Sequence, residues 1–231
     1  MIEKIYTIPV NDAFDLYSGC PVCSLYKKLE ENELEIILGA AMMEPDTRIK
    51  TNEQGFCGRH YDIMFNQKNR LGLALILESH FSQNIIKTLE GGLLGNFGKT
   101  NKLDKQNESC YVCQRISHSL NLMLETAALL WQREREFKEK LLAQPYFCLF
   151  HYSELLSAGE RVLHKKSYAG FFDDCKKVNT GYAKKLYEDV SWFVKKFDYR
   201  YEHEPWGDSK DAVERAIRFL AGYKNLDTLK K

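Results

Sequence analysis

The chain has 231 residues, 44% hydrophobic and 13% aromatic, with 33 basic residues against 32 acidic ones and a formal charge of +1. That much apolar material can bury a core, so metal need not be the sole support, as it is in a minimal zinc finger. The charge balance lacks the basic excess of a generic nucleic-acid binder, no run approaches the ~20 apolar residues that cross a bilayer, and the opening residues lack a signal-peptide core, so a cytoplasmic, thiol-reducing compartment is expected.

The hydrophobic pattern is helical almost throughout and predicts an all-α fold, with Tyr6–Val10 the one stretch of strand-like alternation. A helix is expected from about Val22 to Met42, with Leu25, Leu29, Leu34, Ile37, Leu38 and Ala41 on its buried face and Pro45 as its stop. A short helix over Asp46–Glu53, a break at Gly55, a helix to Phe65 and a longer one over Leu71–Leu89 complete a first half. Gly91, Gly92, Gly95 and Gly98 mark a linker. The second half has the same order: helices over Val112–Trp131 and Gln132–Ala143, a break at Pro145, a short helix to Leu156, and a long one over Arg161–Phe197. An aromatic, charged loop through Trp206 then leads to a last helix, with Ser209 as N-cap and Gly222 as stop.

One cysteine–histidine pattern occurs twice on this frame. Cys20-Pro-Val-Cys23 is followed by Phe56-Cys57-Gly-Arg-His60, and Cys110-Tyr-Val-Cys113 by Phe147-Cys148-Leu-Phe-His151. The CxxC pairs are offset by 90 positions and the CxxH pairs by 91, which absorbs six of the seven cysteines. Each copy supplies three thiols and one imidazole, a complete ligand set for a closed tetrahedral zinc site. A helical hairpin in each copy would bring Cys57 back along a helix ~30 Å long and set the quartet at two helix N-termini, where thiolates are favoured. This reading closes each quartet within its own repeat, although the spacing alone leaves exchange between repeats open.

Iron–sulfur clusters and dithiol redox chemistry at the CxxC pairs are the competing readings. A c-type haem is excluded by Ser24 and Gln114, which stand where its histidine would follow a CxxC. Phe56, Phe147, Tyr61 and Tyr152 are expected to pack around the metal, Cys175 to be a buried thiol, Trp206 to anchor the tail, and the Gln132–Lys140 charge run to face solvent. Glu78 and His80 form a candidate functional polar pair, since the second copy has Ala169 and Phe171 at the same offset.

At its CPxC and GFCxxH residues the chain resembles an uncharacterised family of bacterial proteins, found in anaerobes and other Gram-positive lineages. These are duplicated helical proteins with CPxC followed by FCxxH in each half. The resemblance extends to Ile8–Phe14, Leu71–Ala74 and Pro205-Trp206-Gly207; Tyr111 and Tyr146 replace a proline and a glycine in the second copy. It implies the duplicated helical architecture and supplies no activity.

The expectation is thus an all-α protein of two tandem helical repeats, each a hairpin stapled by a Cys3His site, plus a C-terminal helix. Repeat one spans 1–90, a linker 91–109, repeat two 110–197 and the tail 198–231. The ligands are Cys20, Cys23, Cys57, His60, Cys110, Cys113, Cys148 and His151, holding two zinc ions per chain or, alternatively, iron–sulfur clusters. No nucleophile–base pair or phosphate loop is visible, so the expected role is a non-enzymatic scaffold or interaction module for a protein or small-molecule partner, with no nucleic acid and no membrane. The alternative is a redox or electron-transfer protein, and a metal-dependent hydrolase would need an open coordination position.

Overall fold

Val10, Ala13 and Phe14 are buried at helical spacing, and they make the first segment a helix, α1 (Lys4–Phe14), rather than the strand that Tyr6–Val10 suggested. Pro9 removes one ladder donor, but the buried face lies on the C-terminal side of it. The computed structural model describes residues 4–90, 104 and 108–222, and among these every regular element is helical. No helix among them is long and apolar enough to cross a membrane.

After α1 come α2 (Pro21–Leu38), a 3-10 turn (Ala40–Met43), α3 (Pro45–Gln54), α4 (Gly58–Phe65) and α5 (Arg70–His80). A π-helical turn (Phe81–Ile85) joins α5 to α6 (Ile86–Glu90). Next are α7 (Tyr111–Arg133), α8 (Arg135–Leu142), α9 (Leu149–Val162), the long α10 (Lys165–Lys195) and α11 (Ala212–Ala221). Pro45 does not stop α2, which ends earlier; it opens α3, where a missing N–H costs nothing. The expected linker falls outside the described residues except at 104, 108 and 109.

The chain divides into two compact units. One is Lys28–Ser119, and the other joins Met1–Lys27 to Leu120–Lys231. The boundaries fall within α2 and α7, so the units do not coincide with the two halves of the sequence pattern.

In the Lys28–Ser119 unit, Leu34, Ile37, Phe56, Met64, Ile76 and Ile116 are buried. Asn69 caps α5 by accepting from the Gly72 N–H at 2.8 Å, and its amide donates to the Leu38 carbonyl at the end of α2. A polar cluster holds the end of α3. The Ser79 hydroxyl donates to Asn52 Oδ1 at 2.8 Å, while Asn84 donates to the Asn52 carbonyl at 2.9 Å. The Asn52 amide donates to Gln83 on the π turn at 3.1 Å. These bonds satisfy a buried asparagine that an apolar core would leave costly.

The other unit packs aromatic rings. Phe14 meets Phe137 and Phe147 at 4.9 and 6.2 Å between centroids, Trp131 meets Phe171 edge-on at 5.2 Å, and Tyr146 stacks on Tyr182 at 4.3 Å with Phe219 beside both. The charge run starts at the end of α7 and continues on α8, whose Phe137 and Leu141 face inward while Arg135 and Glu139 pair outside. Trp206 anchors the tail against Phe193, and the buried Lys196 ammonium donates to the carbonyls of Tyr201, Glu202 and Glu204. Ser209 is not the N-cap of α11. It is buried, its hydroxyl donates to the Trp206 carbonyl at 2.7 Å, and Asp211 occupies the cap position.

Gly159 tests this packing. A Cβ there would lie 2.6 Å from the fully buried Phe171 ring, whereas Gly181 on α10 has open space. Gly159→Val should cost stability at the upper end of the ~1–3 kcal/mol typical of overpacking. Gly181→Ala should gain ~0.5–1 kcal/mol. Denaturant unfolding of the two variants checks both signs.

Candidate metal centres

Each CxxC opens a helix: Cys20 stands immediately before α2 and Cys110 immediately before α7. Each CxxH begins at a cap: Cys57 is the N-cap of α4 and Cys148 that of α9. The structure brings all eight predicted ligands together, but in exchanged pairs. Cys20, Cys23, Cys148 and His151 form one quartet and Cys57, His60, Cys110 and Cys113 the other, with the donor atoms of each within 4.8 Å of one another. The CxxC of each copy meets the CxxH of the other, so closure within a repeat is replaced by closure between copies.

The reason is reach. α2 has 18 residues, ~27 Å, but the returning α3 has only 10, ~15 Å. The CxxH that follows α3 therefore meets α2 at its middle, where His60 Nε2 lies 3.2 Å from Glu30. The second copy has the same shortfall, 23 residues in α7 against 8 in α8.

The quartets match a tetrahedral ion. With Zn–S bonds of ~2.3 Å and Zn–N of ~2.0–2.1 Å, tetrahedral edges are ~3.8 Å between sulfurs and ~3.5 Å between sulfur and nitrogen. Cys23 and Cys148 Sγ are 3.6 Å apart, and Cys57 and Cys113 Sγ 3.9 Å. His151 Nδ1 lies 3.9, 3.2 and 3.2 Å from the sulfurs of Cys20, Cys23 and Cys148. His60 Nδ1 lies 3.1, 3.2 and 3.5 Å from those of Cys57, Cys110 and Cys113. Both histidines therefore present Nδ1 and leave Nε2 for the surroundings.

Taken by themselves, the side chains share protons unevenly. A hydrogen bond from Cys113, with help from His60, holds Cys110 far below the ordinary thiol range against burial, and the same bond pushes its donor Cys113 up. Burial pulls the His60 imidazole down, but its bonds to Cys110 and Glu30 prevail and raise it to about 10. In the other quartet, hydrogen bonds from Cys20 and Cys23 hold Cys148 low, while burial raises Cys20. A dication displaces these protons, so metal binding strengthens as pH rises. The four helix N-termini add positive potential where three thiolates and a dication leave a net negative charge.

Several supporting residues were not legible as such. Glu30 is almost fully buried and accepts from His60 Nε2 and from both arms of Arg59, at 3.1 and 3.0 Å. Burial works against ionised Glu30, but His60 and Arg59 hold its carboxyl below the usual range. A mid-helix glutamate reads as a solvated charge; the available signal was that Leu120 and Phe150 stand at the positions matching Glu30 and Arg59 in the second copy. Asn179 on α10 pairs with both the N–H and the carbonyl of Phe147, at 2.9 and 2.8 Å, and so fixes the residue before Cys148. Gly222, expected only as a helix stop, has φ of 65° and sits so close that a Cβ would be 2.8 Å from Cys148 Sγ. The end of α11 thus covers one centre.

Glu78 and His80 do not form a pair. Glu78 is exposed, whereas His80 is buried with Nδ1 2.9 Å from the Asn52 carbonyl, as expected of helix positions two apart. Its ring packs on Gly55, whose φ of 62° admits no ordinary side chain and whose carbonyl accepts from the Tyr111 N–H at 3.0 Å. His80 therefore positions the turn before Cys57. Cys175 is fully buried, belongs to neither quartet, and has its thiol pushed up by burial.

The chain belongs to a family of unknown function (DUF6062), whose model matches residues 1–227. No curated protein and no solved structure matches it.

The exchanged pairing has a direct chemical readout. Cys57→Ala should lose one metal equivalent and expose Cys110 and Cys113 to alkylation while Cys20 and Cys23 stay protected, as read by mass-spectrometric mapping. Labelling of Cys20 and Cys23 instead would show closure within the repeat. Cys175→Ala should leave metal content unchanged, as measured by elemental analysis, because no ligand is removed.

Proposed function

We propose that this member of the family is a non-enzymatic, zinc-stapled helical scaffold that presents a helical surface to a protein or small-molecule partner in the reducing cytoplasm. The observation that carries this is closure. Three sulfurs and one Nδ1 lie within 4.8 Å of one another in each quartet, a donor set that would complete the shell of a tetrahedral ion and leave no position for water or substrate. Thiolate and imidazole donors in that geometry favour zinc over hard cations. Cys20, Cys148 and His151 in one centre, and His60 and Cys110 in the other, are buried, which suits a structural ion rather than one that meets a substrate.

Each staple joins segments far apart in sequence, 125 residues for Cys23 and Cys148 and 50 for His60 and Cys110. Metal therefore stabilises tertiary structure rather than a local finger. Apolar side chains left outside, including Val194, Phe197 and Tyr199 at the end of α10, offer contact area for a partner.

Elemental analysis of anaerobically purified full-length protein should find about two zinc per chain in a colourless sample. Iron with inorganic sulfide in a brown sample would replace this reading with the electron-transfer one. Stripping the metal with a chelator should lower the melting temperature by ~10 °C or more, because losing several kcal/mol shifts a domain of this size by ~2–4 °C per kcal/mol. An unchanged melt would remove the structural role.

A further inference from the structure

The two centres share the same donor set, three cysteine sulfurs and a histidine Nδ1, but differ in what holds the outer nitrogen of the histidine. At His60, Glu30 Oε1 lies 3.2 Å from Nε2, and Arg59 closes on the same carboxylate through Nε and Nη2. An acceptor there fixes the proton on Nε2, leaves the Nδ1 lone pair aimed at the sulfurs, and makes the imidazole a stronger donor. Glu30 alone would set a buried negative charge beside an already negative centre; Arg59 offsets it. At His151 the acceptor is missing. Nε2 is buried with no hydrogen-bond partner among the described residues, and its nearest carboxylate oxygen, on Glu154, is 4.0 Å away. The residues matching Glu30 and Arg59 are Leu120 and Phe150, which can neither accept that proton nor hold a carboxylate in place.

We propose that Glu30 and Arg59 are positioning residues that make the Cys57–His60–Cys110–Cys113 centre hold its ion more tightly than the Cys20–Cys23–Cys148–His151 centre, so that the chain retains one metal after losing the other. This rests on the reading of both quartets as metal centres. The inequivalence lies in the support of one histidine and requires no difference in ligand set.

The test is release of zinc from the loaded full-length chain into a colorimetric chelator. Wild type should lose one equivalent in a fast phase and one in a slow phase. Glu30→Gln keeps the shape of the side chain and weakens the acceptor, and should speed the slow phase ~10–100-fold while leaving the fast phase in place. Arg59→Lys keeps the charge without the two-armed contact and should move the same phase in the same direction, which covers the case in which Glu30→Gln fails to fold. Release of both equivalents at one rate in wild type, or a slow phase that neither folded variant moves, overturns the proposal. A chain that holds no metal overturns the metal reading itself and this inference with it, an outcome distinct from two ions leaving together.

Discussion

The structure depends on one constraint of length: the helix that follows each CxxC helix is too short to carry its own CxxH back to the start. α3 covers little more than half of α2, and α8 about a third of α7. A CxxH that stops midway can complete a quartet only with a CxxC that another helix brings there. Exchange between copies satisfies both quartets at once, and each still lies at two helix N-termini, one from a CxxC helix and one from a CxxH helix. The units follow from this. The inner quartet closes within Lys28–Ser119, and the outer one gathers the two flanking segments into the second unit.

Chain entropy would not by itself separate two metal staples closed at these quartets. The outer one closes a stretch of 125 residues and the inner one 50, yet the cost of closing a loop grows only as the logarithm of its length, ~0.6 kcal/mol per doubling. A factor of two and a half is therefore worth ~0.8 kcal/mol, less than one well-placed hydrogen bond to a charged group at ~1.5–3 kcal/mol. Differences between the centres must come from the side chains that touch them.

The ligands were legible because metal ligation demands cysteine and histidine at set spacings, whereas core packing would accept any small apolar residue there. The helices were legible because their apolar faces recur at three and four residues. The pairing was not. Identical motifs in both copies make within-copy and exchanged closure equivalent on spacing alone, and the choice turns on where α3 begins and ends. Treating the stretch after α2 as able to extend overstated its reach; Pro45 starts a compact helix there. Glu30 was hidden for a related reason, since a carboxylate on a charged helix is ordinarily solvated and its burial follows only from where His60 arrives. Gly222 looked like a routine helix stop because nothing local says that Cys148 lies against it.

The copies keep the same set of candidate ligands but solve the turn before the CxxH in different ways. In the first, Gly55 takes a left-handed conformation, His80 fills the space beside it, and Asn52 ties α3 to the π turn through hydrogen bonds. In the second, the matching residues are Tyr146, Phe171 and Ala143, and the hydrogen-bonded arrangement gives way to rings. Tyr146 stacks on Tyr182, Phe171 packs on Gly159 and Trp131, and a single Asn179 pairs with the Phe147 backbone. A directional polar network resists small displacements because each bond has a narrow geometry, whereas ring packing tolerates sliding at nearly constant buried area. The centre with Glu30 on its histidine also has the network behind its turn. The quartet without that acceptor is backed by aromatic packing and by the backbone of Gly222, so the support around the two quartets, more than their own donor atoms, distinguishes one end of the pattern from the other.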